Sequence, residues 1–309
     1  MHLEFTDDFV VENLGEQENW VYDIEVDKCH NFFGNDILLH NSLFFSFDFV
    51  TKNLKNKDPK EITESLNKFS VKFIEPELNN IFNDLANYLN VNENKMVMER
   101  EKIMEKFLII GKKRYTYLLW DNEGVRYDEP QLGFTGVEVV RSSTPNIIKP
   151  YLKESLKKIM IDGETGIKQY ISEVKEKFFE MSPEDIAFPR SVSDVAKYTD
   201  RSKMFKKGCP IAVRSAIIFN NYVKKYNLNF PQISDGEKIK FLYMITPNNF
   251  FNSNVFGFVN KIPDKELVEK FVDYHTQFQK VYFDVIKNIT VKLGYDLFEK
   301  KQNNLDELF

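Results

Sequence analysis

The order of apolar and polar positions divides the chain into stretches of different character. Over the first 41 residues the runs are short and alternating. In WVYDIEV, Trp20, Tyr22, Ile24 and Val26 fall on one side of an extended chain, and polar turns such as Gly34-Asn35-Asp36 break the pattern. From Ser42 an aromatic strand, LFFSFDFV, leads to an amphipathic helix with Leu78, Ile81, Phe82, Leu85 and Leu89 at helical spacing. Strands are predicted next around KMVMEREKI, KFLIIG and RYTYLLW, the last ending at the turn Asp121-Asn122-Glu123-Gly124. Beyond about residue 142 the periodicity becomes helical, over Pro150–Ile161, Ile167–Phe179, Ile211–Lys225 and Lys265–Leu293. The final residues, KKQNNLDELF, read as a tail. The expected fold class is multi-domain α+β: a small all-β segment at 1–41, an α+β unit at 42–141, a mainly helical unit at 142–300 and a tail at 301–309.

Composition narrows this picture. Of 309 residues, 42% are hydrophobic and 29% charged, ordinary values for a globular protein, while 29 Phe imply well-filled cores. No apolar run is long enough to cross a bilayer, and MHLEFTDDFV lacks the basic-then-apolar pattern of a signal peptide, so no membrane partner is expected. Two cysteines, Cys29 and Cys209, give no disulfide framework and fit a reducing cytoplasm. A net charge of −5 argues globally against nucleic-acid binding, but its distribution is uneven. Between Arg190 and Arg214 lie seven basic side chains (Arg190, Lys197, Arg201, Lys203, Lys206, Lys207 and Arg214) against Asp194 and Asp200. Such a patch suits sequence-independent contact with duplex phosphates, for which Lys197, Lys207 and Arg214 are the candidates.

Leu39-His40-Asn41-Ser42 places four functions in a row. The Asn41 amide can attack its own backbone carbonyl, closing a succinimide and cutting the chain. His40 can protonate the scissile amide, since it titrates near neutrality. Ser42 offers a hydroxyl that accepts an acyl group and then passes it to its own freed amine. Residues 21–41, VYDIEVDKCHNFFGNDILLHN, resemble the last two conserved blocks of inteins. That resemblance implies assisting roles for Asp23 and His30, a penultimate His40, a cyclising Asn41 and a downstream nucleophile in Ser42. An intein's first residue and its Thr/His block are not found upstream, so a split intein is expected, its N-terminal piece carried on another polypeptide.

From Ser42 almost to Phe309 the chain resembles the C-terminal part of family B DNA polymerases, most closely those of T-even-like tailed phages. Ser42 before LFFSFDF fits the Ser of an Asp-Thr-Asp-Ser motif whose aspartates hold two Mg²⁺ ions, and both aspartates would lie on the upstream polypeptide. Met98-Glu99-Arg100-Glu101 is similar to a palm strand with acidic residues near the metals; alternation points Glu99 and Glu101 to one face, and the other reading is a solvated strand face. Lys112-Lys113-Arg114-Tyr115 resembles the motif that holds primer–template DNA near the primer terminus. Arg141-Ser142-Ser143-Thr144-Pro145 resembles the passage from palm to thumb, and its Ser and Thr also read as helix caps before Pro145. In the tail, Gln302, Leu305, Leu308 and Phe309 resemble a sliding-clamp-binding peptide. Together the resemblances imply a half-precursor of a phage replicative polymerase in a bacterial cytoplasm. It would be joined to its N-terminal half by trans-splicing and then act on primer–template DNA and dNTPs. Two rivals remain: an unspliced subunit that binds DNA and clamp, and an intein that only cleaves after Asn41.

Overall fold

The computed structural model describes residues 57–111, 113–200 and 202–297, with the backbone of four strands before them: β1 (Val21–Val26), β2 (Asn31–Gly34), β3 (Ile37–His40) and β4 (Ser42–Ser46). The chain divides into two compact units after Thr135; the sequence placed its change of character near residue 142.

In the first unit, α1 (Pro59–Phe69) starts at Asp58, whose side chain accepts a hydrogen bond from the Lys60 amide. One wide π turn, Ser70–Ile74, carries it into α2 (Glu75–Tyr88). Ile62, Leu66 and Phe82 are buried. The two strands expected around KMVMEREKI and KFLIIG are a single strand, β5 (Met98–Gly111), irregular where it pairs with β6 (Arg114–Asn122). β7 (Val125–Thr135) follows a two-residue turn in which Glu123 (φ 51°) and Gly124 (φ 85°) are both left-handed, as a tight hairpin between twisted strands requires. The antiparallel sheet runs β4-β1-β5-β6-β7. β1 therefore shares the sheet of this unit, between β4 and β5, while β2 and β3 form a separate hairpin.

The second unit opens with α3 (Lys149–Ile161), with Pro150 in its first turn, and α4 (Gly163–Phe179). No helix begins at Pro145: residues 141–148 form consecutive turns, and Thr144 is buried. The reading of Ser143 and Thr144 as helix caps is corrected accordingly. After the short α5 (Pro183–Ile186) come β8 (Phe188–Ser191), α6 (Val195–Tyr198), and a small hairpin of β9 (Thr199–Asp200) and β10 (Met204–Phe205). α7 (Ile211–Lys225) has the limits its periodicity predicted. β11 (Lys238–Tyr243) and β12 (Val255–Phe258) then complete a three-stranded sheet, β12-β11-β8, in a region the sequence read as mainly helical. α7 crosses β12 closely. A methyl group on Gly257 would lie 3.0 Å from the backbone of Ser215, so only glycine fits there without displacement.

The helix expected over residues 265–293 is interrupted. α8 (Lys265–Glu269) ends before Asp273, whose carboxylate accepts from the Thr276 amide and starts α9 (Tyr274–Phe278), continued through a π turn into α10 (Asp284–Thr290). Fully buried Gln277 holds this break in place. Its Oε1 accepts from the Tyr243 amide at 3.0 Å and its Nε2 donates to the Ile186 carbonyl at 2.7 Å. Phe219, Tyr222, Phe250 and Phe256 form an aromatic core, with ring centroids 4.7–6.1 Å apart where they pair. Burial pushes the Tyr222 hydroxyl well above its ordinary pKa, and the hydroxyl donates to Asp264 at 2.6 Å.

Candidate nucleic-acid interface

Two basic features stand out, one in each unit. In the first, the long β5–β6 hairpin closes with Gly111 paired to Arg114, which puts Lys113 at its tip. Lys113 is exposed and left-handed (φ 57°), a conformation that costs a non-glycine residue on the order of 1 kcal/mol. Arg114 and Tyr115 start β6. The Tyr115 ring lies 5.3 Å from Phe107 and 6.0 Å from Tyr117, so its position is fixed by an aromatic row along the hairpin. Gly133, opposite Tyr117, makes room for that row, because a methyl group there would overlap the Tyr117 ring. Lys112 lies outside the described residues.

Below the tip, Asp121 is fully buried between Arg100 and Arg126. Arg126 Nε stands 2.8 Å from Oδ2, and the other carboxylate oxygen meets Arg100 and accepts the Gly124 amide at 3.0 Å. This anchor of the β6–β7 turn was read from sequence only as a turn residue. Glu101 falls at an irregularity in the β1–β5 pairing: Ile24 pairs with Arg100, Asp23 with Lys102, and Glu101 is the extra residue. Strict alternation therefore does not carry from Glu99 to Glu101. Glu99 is exposed, while Glu101 is mostly covered and ion-paired with Lys102. Among the described residues no three Asp, Glu, His or Cys side chains converge as a metal site would require. These side chains therefore do not by themselves fit a Mg²⁺ centre.

In the second unit, α6, the β9–β10 hairpin and the loop into α7 make a small lobe that gathers the basic run. Lys197, Lys203, Lys206 and Lys207 are exposed on it. The Asp200 carboxylate is committed to the turn, accepting the Ser202 and Lys203 amides and the Ser202 hydroxyl, and these bonds hold its pKa below the ordinary value. The lobe thus presents its cations with one of its two acids drawn into the backbone. Arg190 does not join them. Its guanidinium turns inward and donates to the carbonyls of Ser143 (2.7 Å) and Pro189 (3.0 Å), over the Phe188 ring.

Arg214 lies in the first turns of α7, its guanidinium 5.8 Å above the Phe205 ring. Its Nε is buried and has no hydrogen-bond partner among the described residues. No side chain caps this helix and no acidic residue lies in its first turn. A cation at the positive end of a helix, with an unsatisfied N–H, is unfavourable until an anion arrives, and a phosphate oxygen would answer both. Sequence counting found Arg214 and the lysines but not Phe205, the shelf on which Arg214 rests.

The remaining sequence candidates fall in the N-terminal strands or beyond the described residues. Asp23 pairs through its backbone with Phe44 and Lys102, His40 with Asn31, and Ser42 with Glu25. His30, Asn41, Gln302, Leu305, Leu308 and Phe309 lie outside the described residues. No helix among the described residues is long and apolar enough to cross a membrane.

Both basic features fall inside a region that matches a known family. The family model "DNA polymerase family B" matches residues 67–289, which include the hairpin tip and the lobe. The chain is 29% identical over 264 residues to the DNA-directed DNA polymerase of Enterobacteria phage T4, covering 82% of this chain and 29% of that protein. It is 29% identical over 280 residues to that of Escherichia phage RB69, covering 86% and 31%. A DNA polymerase of Thermococcus litoralis matches at 30% identity over 146 residues, covering 47% of this chain and 7% of that protein. The chain thus spans about three tenths of the length of its phage relatives. On the match over residues 67–289, the chain belongs to DNA polymerase family B.

Proposed function

We propose that residues 42–309 are the palm end, thumb and clamp-binding tail of a replicative DNA polymerase, with boundaries at 141/142 and 300/301, and that residues 1–41 are the C-terminal piece of an intein. The observation that carries the polymerase reading is the family match spanning the Lys113–Arg114 tip and the Lys197–Arg214 lobe, two cationic features suited to a phosphate backbone. The DNA contacts are assigned to Lys112, Lys113, Arg114, Tyr115, Lys197, Lys207 and Arg214. Gln302, Leu305, Leu308 and Phe309 are assigned to the clamp. The Mg²⁺ ligands come chiefly from an upstream polypeptide, with Glu101 nearby, so template-directed nucleotidyl transfer belongs to the assembled enzyme.

The splicing reading rests on the run 21–41 and on local chemistry: Asn41 cyclises, His40 protonates the amide it breaks, Asp23 and His30 assist, and Ser42 takes the acyl group. Excision of residues 1–41 removes β1 from between β4 and β5, so the joined chain must supply a strand in its place. Mixing the chain with the upstream polymerase polypeptide and resolving the products on a denaturing gel tests this. A ligated band with a released 1–41 piece is expected, and Asn41→Ala should abolish the release. Persistence of only the two input bands would sink the splicing assignment. That outcome would favour the second reading, an unspliced DNA- and clamp-binding subunit. One observation speaks for it: β1 is hydrogen-bonded along both edges, so the unspliced chain already has a continuous sheet.

A further inference from the structure

β1 and β4 are neighbours in one sheet, yet they lie on opposite sides of the Asn41–Ser42 bond. β1 is antiparallel to both strands that flank it. On one edge Val21 faces Ser46 and Glu25 faces Ser42; on the other Val21 faces Met104 and Val26 faces Met98. β4 and β5 are therefore parallel to each other, with one strand between them. Among the described strands β4 has no hydrogen-bonded neighbour but β1, so β1 alone ties Ser42–Ser46 into the sheet. The ladder with β5 passes over Glu99, Arg100 and Lys102, the stretch that holds the extra residue Glu101. The Asn41–Ser42 bond itself falls between β3 and β4, and cutting it breaks no rung of either ladder. Withdrawing β1 without a replacement would instead leave the facing edges of β4 and β5 with unpaired backbone groups.

We propose that β1 is an autoinhibitory strand. It occupies the sheet position that the polymerase segment joined ahead of Ser42 has to take, and it keeps that position closed until the upstream polypeptide draws it out. The inference rests on the reading of residues 1–41 as a removable piece and of residues 42–309 as part of a polymerase. Two facts of the sheet select the position. A segment joined directly to Ser42 can turn back along β4 as a hairpin, which gives it the antiparallel direction that β1 has now. The same direction also suits β5, whereas pairing on the outer edge of β4 would leave β5 open. Breaking the bond after Asn41 is thus not enough to open the sheet; β1 has to leave it.

The test pairs hydrogen exchange of the full chain with primer extension, with Asn41→Ala present so that the chain stays whole. Ile24→Pro removes a backbone donor from the middle of β1, a change that a strand paired on both edges does not tolerate. In the chain alone, exchange at Ser42–Ser46 is expected to rise about tenfold or more, with Phe107 and Leu108, which pair with β6, unchanged. If those two positions also exchange faster, the sheet as a whole is lost and Glu25→Pro, nearer the end of β1, is used instead. Mixed with a saturating amount of the upstream polymerase polypeptide, the Asn41→Ala chain is expected to extend a primer slowly, and Ile24→Pro to raise that rate about tenfold or more. Unchanged exchange at Ser42–Ser46 overturns the proposal, as does extension within twofold of Asn41→Ala alone. Extension by the Asn41→Ala mixture at the rate of the wild-type mixture also overturns it. The splicing reading fails separately, by the absence of a ligated band from the wild-type mixture, a result on which the Asn41→Ala comparison does not depend.

Discussion

Neutralising Lys206 and Lys207 together gives a quantitative test of the lobe as a phosphate-binding surface. Both side chains are exposed, and among the described residues neither forms an ion pair, so changing them to Gln removes two charges with little effect on packing. Each lysine that neutralises a phosphate releases about 0.9 of a counterion, so the double change should lower the slope of log K against log salt by about 1.8. Between about 50 and 200 mM salt that difference amounts to roughly 12-fold in affinity, or about 1.5 kcal/mol. Fluorescence anisotropy with a labelled primer–template duplex across that salt range measures the slope directly. Lys153→Gln with Lys157→Gln on α3, also exposed, is the control for net charge. A slope unchanged in Lys206→Gln/Lys207→Gln, or one lowered equally by the control pair, would refute the assignment of the lobe to DNA.

Arg214→Met should separate binding from stability. It removes a buried N–H that has no acceptor among the described residues, so urea unfolding is expected to show no loss or a gain of about 1 kcal/mol, while duplex affinity falls. Asp121→Ala leaves the guanidinium of Arg100 buried beside an emptied site. It should destabilise the first unit by about 3–5 kcal/mol in denaturant titrations, and a loss below 1 kcal/mol would contradict the anchoring role. Gln277→Leu strands both the Tyr243 amide and the Ile186 carbonyl, for an expected loss of about 2–4 kcal/mol, with hydrogen exchange accelerated at Tyr243.

The parts of the fold that were legible are those whose pattern is local. α7 matched its predicted limits because nine of its fifteen residues are buried, on a helix long enough for the period to register, and Pro210 stands immediately before it. β11 and β12 escaped because short, nearly continuous apolar runs such as IKFLYMI carry no alternation to separate a covered strand from a buried helix. β5 was expected in two pieces because shifts in its pairing between Ile103 and Lys106 interrupt the two-residue period without ending the strand. The helix expected over 265–293 broke because Asp273 turned out to be a cap, a role its sequence neighbours do not distinguish from a solvated surface position.

The candidate site divides along the same line. Charge density between Arg190 and Arg214 is a property of the sequence and was visible there; which cations reach solvent is a property of packing. Arg190 is turned away by a carbonyl 47 residues earlier in the chain, and Asp200 is drawn into a turn by amides two and three residues later. The first could not be read without the fold, whereas the second is a local Asx-type arrangement that Asp200-Arg201-Ser202 already permits. Asp121 is the extreme case, since its buried partner Arg100 lies 21 residues away and nothing near Asp121 in sequence distinguishes an anchor from a turn residue. The His40-Asn41-Ser42 junction stands at the opposite pole, because the cyclisation and amide protonation proposed for it use adjacent groups. That proposed chemistry could be written from three consecutive residues, whereas what it would entail, the removal of β1 from between β4 and β5, emerged only from the sheet order.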